Sequence, residues 1–277
     1  MNLPDEGGVV YVVATPIGNL EDLSARSRRL LEEAAVIACE DTRRTGRLCA
    51  RLHIRTPRIS LHAHNESRRI PALLRRLEAG EAIALVSDAG TPLVSDPGAR
   101  LVASAIESGF RVVPVPGPSA ILAALVASGF SSRPFTFVGF GPRRGSGRTR
   151  WLETAARAPG TLVLFEAPGR VAATLADLYD VLGPRRFVVA RELTKRFEEI
   201  LRGRLGENSI GTMRGEVTIV VEGGEEVESV SEPEEREALI EELLARDRPL
   251  PELAKDLARV LKIPRSEAYR ELLSRRR

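Results

Sequence analysis

The sequence predicts an α/β protein with two domains, a parallel-rich sheet in the first and a mixed sheet in the second, followed by a small helical unit. Short β-branched runs alternate with helical patterns in the first half of the chain. Such alternation is typical of a mostly parallel sheet with helices on its faces. Further along, strand patterns outnumber the helices between them, which favours a mixed sheet.

The first domain is expected over residues 1–130. Each predicted strand is followed by turn residues and then by apolar residues at three- and four-residue spacing, which indicate a helix. The predicted strands are 9–14, 36–39, 58–61, 82–86 and 111–115, and the predicted helices are 24–35, 45–52, 66–79, 98–108 and 119–128.

The second domain is expected over residues 131–224, after the pattern breaks near 129–134. Its predicted strands are 135–140, 161–165, 186–191, 199–205 and 217–222, and its predicted helices are 149–157 and 170–182. Residues 225–235 are acidic and contain Pro233, which indicates a linker. Residues 236–277 contain helical patterns at 236–246, 251–260 and 266–275, with a turn at 262–264, and resemble a helix-turn-helix unit.

Composition excludes several classes of protein. Hydrophobic residues make up 43% of the 277, but there is no run of about 18 apolar residues that could span a bilayer. The first residues lack a basic-then-apolar signal pattern, so we expect a cytoplasmic protein. Two cysteines and three histidines are too few and too scattered for a zinc ribbon or a disulfide framework, and we expect no metal.

The charge is unevenly distributed. Residues 225–242 contain nine glutamates and one arginine, so the rest of the chain carries about +11 although the formal total is +3. A basic body suits a phosphate-rich partner, although solubility alone also explains many basic surfaces.

Three strand ends in the first domain open into loops of small residues and proline, at 15–20, 87–98 and 116–120. In open α/β sheets, ligands bind beyond the carboxyl ends of the strands, where small residues allow close approach to the backbone. The loops therefore predict one pocket, although each alone is also explained as a tight turn. No dinucleotide fingerprint or P-loop is present.

The loops belong to a longer series of motifs. These are Thr-Pro-Ile-Gly-Asn-Leu at 15–20, Glu-Asp-Thr-Arg at 40–43, His-Ala-His-Asn-Glu at 62–66, Ser-Asp-Ala-Gly-Thr-Pro at 87–92 with Ser-Asp-Pro-Gly at 95–98, Val-Pro-Gly-Pro-Ser at 115–119, Glu-Leu-Thr-Lys at 192–195 and Gly-Glu-Val-Thr at 215–218. The series resembles the tetrapyrrole methylase superfamily. The first and fourth motifs resemble its RNA-acting branch, because they replace a glycine-rich loop and a Gly-Asp-Pro segment.

The resemblance implies a tetrapyrrole-methylase-like fold that binds S-adenosylmethionine between its two domains. It further implies methylation of the ribose 2′-oxygen of a cytidine in 16S ribosomal RNA, with the RNA or the small ribosomal subunit as substrate, and a homodimer. The cofactor residues that it implies are Pro16, Gly18, Leu20, Asp88, Gly90, Thr91, Leu93, Ser119, Ala120, Phe165, Glu166, Ala190, Val217 and Thr218.

Methyl transfer to a hydroxyl requires a base or a cation near the oxygen. Lys195 is the first candidate, because arginine outnumbers lysine 38 to 3 in this chain and only lysine can lose a proton. Glu192 and Asp41 are expected to orient Lys195, and Asp88 is a further candidate for accepting the proton. Lys195 is also explained as a phosphate-binding or surface cation.

The residues expected to contact RNA are cationic or lie at the mouth of the pocket: Arg43, His64, Arg143, Arg144, Arg148 and Arg150. The segment 143–150 contains four arginines, two glycines and no acid, so we expect a mobile loop that binds the RNA backbone. The basic end of the helical tail is a second expected RNA surface. His62 and His64 are spaced like metal ligands, but the sequence offers no third ligand.

Two other functions remain open from the sequence. One is a methyltransferase of the same fold that acts on a tetrapyrrole or another small molecule. The other is a non-catalytic RNA-binding module, which the low aromatic content of 4% disfavours because bases stack on aromatic side chains.

Overall fold

The computed structural model describes residues 8–207, 210–211, 213–224, 233–246, 248–261 and 265–275. Its strands are β1 (Val9–Val13), β2 (Val36–Cys39), β3 (Arg58–Ser60), β4 (Ala82–Val86), β5 (Arg111–Val115), β6 (Phe135–Phe140), β7 (Thr161–Glu166), β8 (Arg186–Arg191), β9 (Glu199–Arg204) and β10 (Val217–Val221). Its α-helices are α1 (Ala25–Glu33), α2 (Thr42–Arg51), α3 (Glu66–Glu78), α4 (Ala99–Glu107), α5 (Ala120–Ser128), α6 (Ser146–Arg157), α7 (Val171–Leu182), α8 (Pro233–Leu244), α9 (Leu250–Leu261) and α10 (Arg265–Arg275).

The first sheet consists of parallel strands in the order β3-β2-β4-β1-β5. Successive residues of a strand point to opposite faces. Accordingly, Ile37 of β2 is buried with Leu31 of α1, whereas Ala38 is buried with Leu77 of α3. Helices cover both faces and return the chain to the same edge each time, so every strand ends at one carboxyl edge.

The second sheet has the order β6-β7-β10-β8-β9. Strands β6 and β7 are parallel, and the remaining neighbours are antiparallel. Helices α6 and α7 pack on one face, where Leu164, Leu178 and Phe187 are buried together. The predicted α/β class, with one parallel and one mixed sheet, is confirmed.

Helix α5 covers the other face of the second sheet. It follows β5 of the first sheet, yet Ala124 and Leu125 are buried against Val163 of β7 and Val188 of β8. The carboxyl edge of the first sheet is thereby held facing the second sheet.

The last three helices form a cluster of their own, in which Ile240, Leu257 and Leu272 are fully buried. The predicted turn at 262–264 and most of the predicted linker, residues 225–232, lie outside the described residues. No helix in the described part of the chain is long and apolar enough to cross a membrane.

Three helices begin three residues earlier than predicted. Helix α2 begins at Thr42 because the Asp41 side chain accepts a hydrogen bond from the Arg43 backbone and caps the helix. Helix α6 begins at Ser146, directly after Gly145, which has a φ of 77°. Helix α8 begins at Pro233, inside the predicted linker, because proline is well tolerated in the first turn of a helix.

Candidate functional site

Loops from the first sheet meet at its carboxyl edge, as the sequence predicts. The loop after β1 and the loop after β4 are joined by an antiparallel bridge, in which the backbone N–H groups of Thr15 and Gly90 each donate to the other residue's carbonyl at 2.9 Å. Gly90 has a φ of 80°, a conformation that favours glycine. The Thr91 hydroxyl donates to the Pro118 carbonyl at 3.2 Å, which connects the loop before α5.

A cavity of about 430 Å³ lies between these loops and the second sheet. The first domain contributes Ile17, Glu40, Arg44, Asp88, Ala89, Gly90, Thr91, Val94, Ser95, Asp96, Ser119, Ala120 and Ile121. The second domain contributes Phe140, Phe165, Glu166, Ala167, Pro168, Ala190, Leu193, Gly215, Glu216, Val217 and Thr218.

Most of the residues expected at the cofactor line this cavity: Asp88, Gly90, Thr91, Ser119, Ala120, Phe165, Glu166, Ala190, Val217 and Thr218. Pro16, Gly18, Leu20 and Leu93 do not. In the first loop, Ile17 lines the cavity instead. Leu93 packs against the core between the first sheet and helices α3 and α4.

One wall of the cavity is acidic. Asp88 accepts a hydrogen bond from the Asp41 backbone at 3.1 Å and lies 3.4 Å from the Arg44 guanidinium. Burial and the nearby Asp88 raise the pKa of Glu40. Burial and the charge of Glu40 raise the pKa of Asp96 to about 6. Two carboxyl groups on this wall therefore ionise less readily than usual.

The opposite wall contains Glu166, whose side chain is completely buried. Its two oxygens accept hydrogen bonds from the Thr174 hydroxyl at 2.5 Å and from the Ala167 backbone at 2.7 Å, and the Arg170 guanidinium lies 3.4 Å away. These contacts compensate the burial of a carboxylate.

Lys195 lies at the rim of the cavity and forms an ion-paired cluster. Its Nζ donates to Glu192 at 2.9 Å and to Glu216 at 3.0 Å, and the Glu216 backbone N–H donates to Glu192 at 2.9 Å. Burial lowers the pKa of Lys195, but the hydrogen bonds to Glu192 and Glu216 outweigh it, so the pKa is raised. The hydrogen bond from Lys195 lowers the pKa of Glu192.

These two ion pairs and the raised pKa favour the ammonium form of Lys195, so the geometry favours its role as a cation over its role as a base. The expectation that Asp41 orients it is wrong, because the Asp41 carboxylate is held by the Arg43 backbone at 2.8 Å and its guanidinium at 3.1 Å. These hydrogen bonds lower the pKa of Asp41 to about 2. Glu216 takes the place that was assigned to Asp41.

Two glycines allow this cluster to form. A Cβ atom on Gly18 would lie 2.3 Å from Cγ of Lys195, so the loop after β1 packs directly on the lysine stem. A Cβ atom on Gly215 would lie 2.4 Å from a carboxylate oxygen of Glu192, and Gly215 has a φ of 91°. Gly18 therefore contributes to contact across the cleft and does not line the cavity.

The histidine motif anchors a loop. Asn65 accepts from the His62 backbone at 2.9 Å and donates to the Ser60 carbonyl at 3.2 Å. His64 is exposed, and its ring centroid lies 6.0 Å from that of His62. Among the described residues there is no group of three acidic, histidine or cysteine side chains arranged to hold a metal.

The arginine-rich segment 143–150 is not a single loop, because five of its eight residues, 146–150, belong to α6. Arg148 is 8% exposed and donates to Asp177 at 2.6 Å and to Thr174 at 3.0 Å. The expectation that Arg148 contacts RNA is wrong, because its guanidinium is already bound inside the second domain. Arg143, Arg144 and Arg150 are exposed, and their side chains form no ion pair with the rest of the described chain.

Sequence reasoning missed Glu40, Asp96 and Glu216 as cavity residues. All three lie inside the motifs at 40–43, 95–98 and 215–218, and this membership was the available signal. Glu40 directly follows β2 and Glu216 directly precedes β10, whereas Asp96 lies well beyond the end of β4. The strand ends did not show which neighbouring side chain faces inward.

Comparison with known proteins agrees with this geometry. The family described as Tetrapyrrole (Corrin/Porphyrin) Methylases matches residues 9–208. The chain is 44% identical over 269 residues to ribosomal RNA small subunit methyltransferase I of Xylella fastidiosa, covering 95% of this chain and 98% of that protein. It is 40% identical over 272 residues to the Bacillus subtilis protein of the same name, covering 95% and 93%.

Solved structures show the same fold. Native uroporphyrin III C-methyl transferase from Thermus thermophilus has a TM-score of 0.56 at 23% identity, covering 77% of this chain and 97% of that one. Its complex with S-adenyl homocysteine has a TM-score of 0.55 at 24% identity, with the same coverage. The resemblance drawn from the motifs is thereby confirmed.

The packing of Gly215 against Glu192 leads to a stability prediction. Gly109 has a φ of 81° but open space around it. Gly109→Ala should therefore lower the free energy of unfolding only by the strain of a left-handed alanine, about 1–2 kcal/mol. Gly215→Ala should lower the free energy of unfolding by about 1–3 kcal/mol more than this, because its methyl group also displaces the Glu192 carboxylate. Urea unfolding of both variants measures the difference, and equal losses would contradict the close packing.

Proposed function

Because the chain belongs to the tetrapyrrole methylase family, we propose that it is an S-adenosylmethionine-dependent methyltransferase that modifies ribosomal RNA. The observation that carries this proposal is near full-length identity of 40–44% to proteins named ribosomal RNA small subunit methyltransferase I. The more specific reaction, implied by the motifs, is methylation of the ribose 2′-oxygen of a cytidine in 16S ribosomal RNA.

The cavity fits the cofactor. Gly90, with its positive φ, allows a ligand to approach the backbone at the end of β4. Phe165, Ala190 and Val217 offer an apolar surface for a flat ring, and the acidic wall suits a molecule with a sulfonium and an ammonium group. S-adenosylmethionine supplies a methyl group already activated by the positive sulfur.

The chain's own residues have three tasks in this reaction. The loops at the carboxyl edge hold the cofactor, and the apolar residues of the cleft hold its flat ring. A group near the ribose hydroxyl either removes the proton or stabilises the negative charge that develops on the oxygen. Lys195 is suited to stabilising the negative charge, because it is an ammonium ion fixed at the rim of the cleft.

The deciding experiment is incubation of the protein with methyl-labelled S-adenosylmethionine and either small ribosomal subunits or naked 16S RNA. We expect label in a 2′-O-methylcytidine after nuclease digestion. Label in a base would overturn the ribose assignment, and transfer to a tetrapyrrole but not to RNA would favour the small-molecule alternative. The homodimer remains a prediction of the family resemblance.

The cofactor site is tested by Gly90→Val, with Gly80→Val as the matched control. Both glycines have a φ near 80°, but Gly80 has open space around it and does not line the cavity. Gly90→Val should abolish cofactor binding by calorimetry, and Gly80→Val should retain it. Asp88→Ala should also weaken binding, because it releases Arg44 and the start of α2. Unchanged cofactor affinity in both Gly90→Val and Asp88→Ala would show that the cofactor does not bind at this edge of the sheet.

Replacing Arg143, Arg144 and Arg150 together by alanine should weaken RNA binding and lower the salt slope of log K by about 2, because fewer counterions are released. Arg55, Arg75 and Arg111 provide a control of equal charge. These three exposed arginines lie near the amino edge of the first sheet, away from the cleft. An equal loss in both triple variants would indicate general electrostatics instead of a specific RNA-binding segment.

Lys195→Arg tests the ammonium. Arginine keeps the charge, but its planar guanidinium does not fit between Glu192 and Glu216 in the same way. Single-turnover methylation should fall by about 10²–10³, the usual loss for one misplaced charge-stabilising donor, while cofactor binding persists. Lys255→Arg, at an exposed position of α9, is the control and should be neutral. Normal turnover by Lys195→Arg would reduce Lys195 to a peripheral cation.

A further inference from the structure

The proposed reaction needs a proton acceptor, because the ribose hydroxyl loses its proton when its oxygen bonds to carbon. With Lys195 protonated, the acceptor must be another group in the cleft. This role rests on the proposed function, and the contacts of each cleft carboxylate distinguish the candidates.

Several carboxylates of the cleft already have strong partners. Asp88 is bound by the Asp41 backbone and Arg44, and Glu166 by Thr174 and Ala167. Glu216 is paired with Lys195. Donors that already occupy the oxygens of a carboxylate compete with a substrate hydroxyl for the same lone pairs.

Asp96 differs from these groups. It lines the cavity and is half-buried, and among the described residues no cation or backbone N–H group donates a hydrogen bond to its carboxylate. The nearby Ser87 hydroxyl, which lowers the pKa of Asp96 in part, donates to the Ala89 carbonyl at 3.2 Å. Glu40 also lines the cavity but has the Arg44 guanidinium nearby, which lowers its pKa in part. Asp96 is therefore the cavity carboxylate whose charge is least compensated by donors and cations.

The backbone holds Asp96 in a fixed position. Ser95 precedes it with a φ of 69°, and Leu93 has a φ of 72°. On the other side, Gly98 has a φ of 114°, and a Cβ atom there would lie 2.9 Å from Leu85 of β4. Strained residues of this kind persist only where the surrounding structure fixes them, and they concentrate at functional sites.

The charged groups around Asp96 come from three strand ends and one helix. Glu40 follows β2, Asp88 follows β4, and His62, which is near Glu40, follows β3. Arg44 of α2 is paired with Asp88. Burial and the charges of Glu40 and Asp88 disfavour the ionised form of Asp96. Asp96 can therefore take up a proton near neutral pH.

We propose that Asp96 accepts the proton of the ribose hydroxyl during methyl transfer. The oxygen forms a bond to the methyl carbon as the carbon–sulfur bond breaks, and the electron pair of that bond stays on sulfur, which becomes neutral. The proton passes to the Asp96 carboxylate and later to solvent. Glu40 is a positioning residue, because its charge acts on Asp96.

The first measurement needs no turnover. In the cofactor-free protein, the carboxyl carbon of Asp96 should titrate by NMR near pH 6. Glu40→Gln removes a like charge and should move the midpoint to lower pH. A midpoint near 4 in the unaltered protein would overturn the proposal, because Asp96 would then be an ordinary surface carboxylate.

The second measurement uses Asp96→Asn, which is nearly isosteric, and Asp180→Asn, an exposed position on α7, as control. At pH 8 and saturating cofactor, Asp96→Asn should lower the single-turnover rate by about 10²–10⁴. Cofactor affinity should fall by no more than about tenfold, because Glu40 and Asp88 keep the wall acidic. In the unaltered protein the rate should fall about tenfold per pH unit below pH 6, where Asp96 is protonated, and reach a plateau above it.

The outcomes separate the two proposals. If the unaltered protein transfers no methyl group to RNA, the proposed function fails, and the role of Asp96 fails with it. If it methylates RNA and Asp96→Asn does so at the same rate, only the role of Asp96 is overturned. Loss of cofactor affinity in Asp96→Asn would instead make Asp96 a cofactor ligand, which also overturns its role as acceptor.

Discussion

The position of α5 is the constraint on which the cleft depends. The helix leaves the carboxyl end of β5, where Ser119 and Ala120 line the cavity, and then buries Ala124 and Leu125 on the second sheet. One apolar helix thus serves as an exit from the first sheet and a cover for the second. Since its burial contributes about 25 cal/mol per Å² of apolar surface, separating the two walls would expose that surface to water. The burial of α5 on the second sheet therefore holds the two walls of the cleft together.

The two sides of the cleft carry different sets of charged groups. The first domain contributes Glu40, Asp88 and Asp96, whereas the second contributes a lysine clamped by two carboxylates and, farther out, exposed arginines. Each ionic contact at the rim depends on a glycine that permits it, Gly18 beneath Lys195 and Gly215 beside Glu192. The acidic wall is suited to a cationic ligand, and the exposed arginines are suited to an anionic one. Two ligands of opposite charge can therefore approach the same cavity from different sides.

Most of the fold could be predicted from the sequence, because its elements follow from local periodicity. Strands such as Val36–Cys39 and Ala82–Val86 have the predicted bounds. Helix starts were less predictable where a side chain decides them, as Asp41 does for α2. The packing of α5 could not be predicted, since an evenly apolar helix of this length gives no information about which sheet it will cover. The partners of individual side chains were the hardest feature to predict. Arg148 looks like the neighbouring arginines in the sequence, yet it is bound by Asp177, 29 positions away.

The same limit explains the revision of the catalytic groups. Lysine is rare in this chain, which singled out Lys195, but its protonation depends on Glu216, a residue of another strand end. The acidity of Asp96 likewise depends on Glu40, which is 56 positions earlier in the chain and reaches it only because β2 and β4 are neighbours in the sheet. Parallel pairing places the residues after those two strands side by side, so their carboxylates share one low-dielectric wall and cannot both ionise easily. The order of the strands, which no local pattern specifies, thus determines which residue of the cleft can take up a proton.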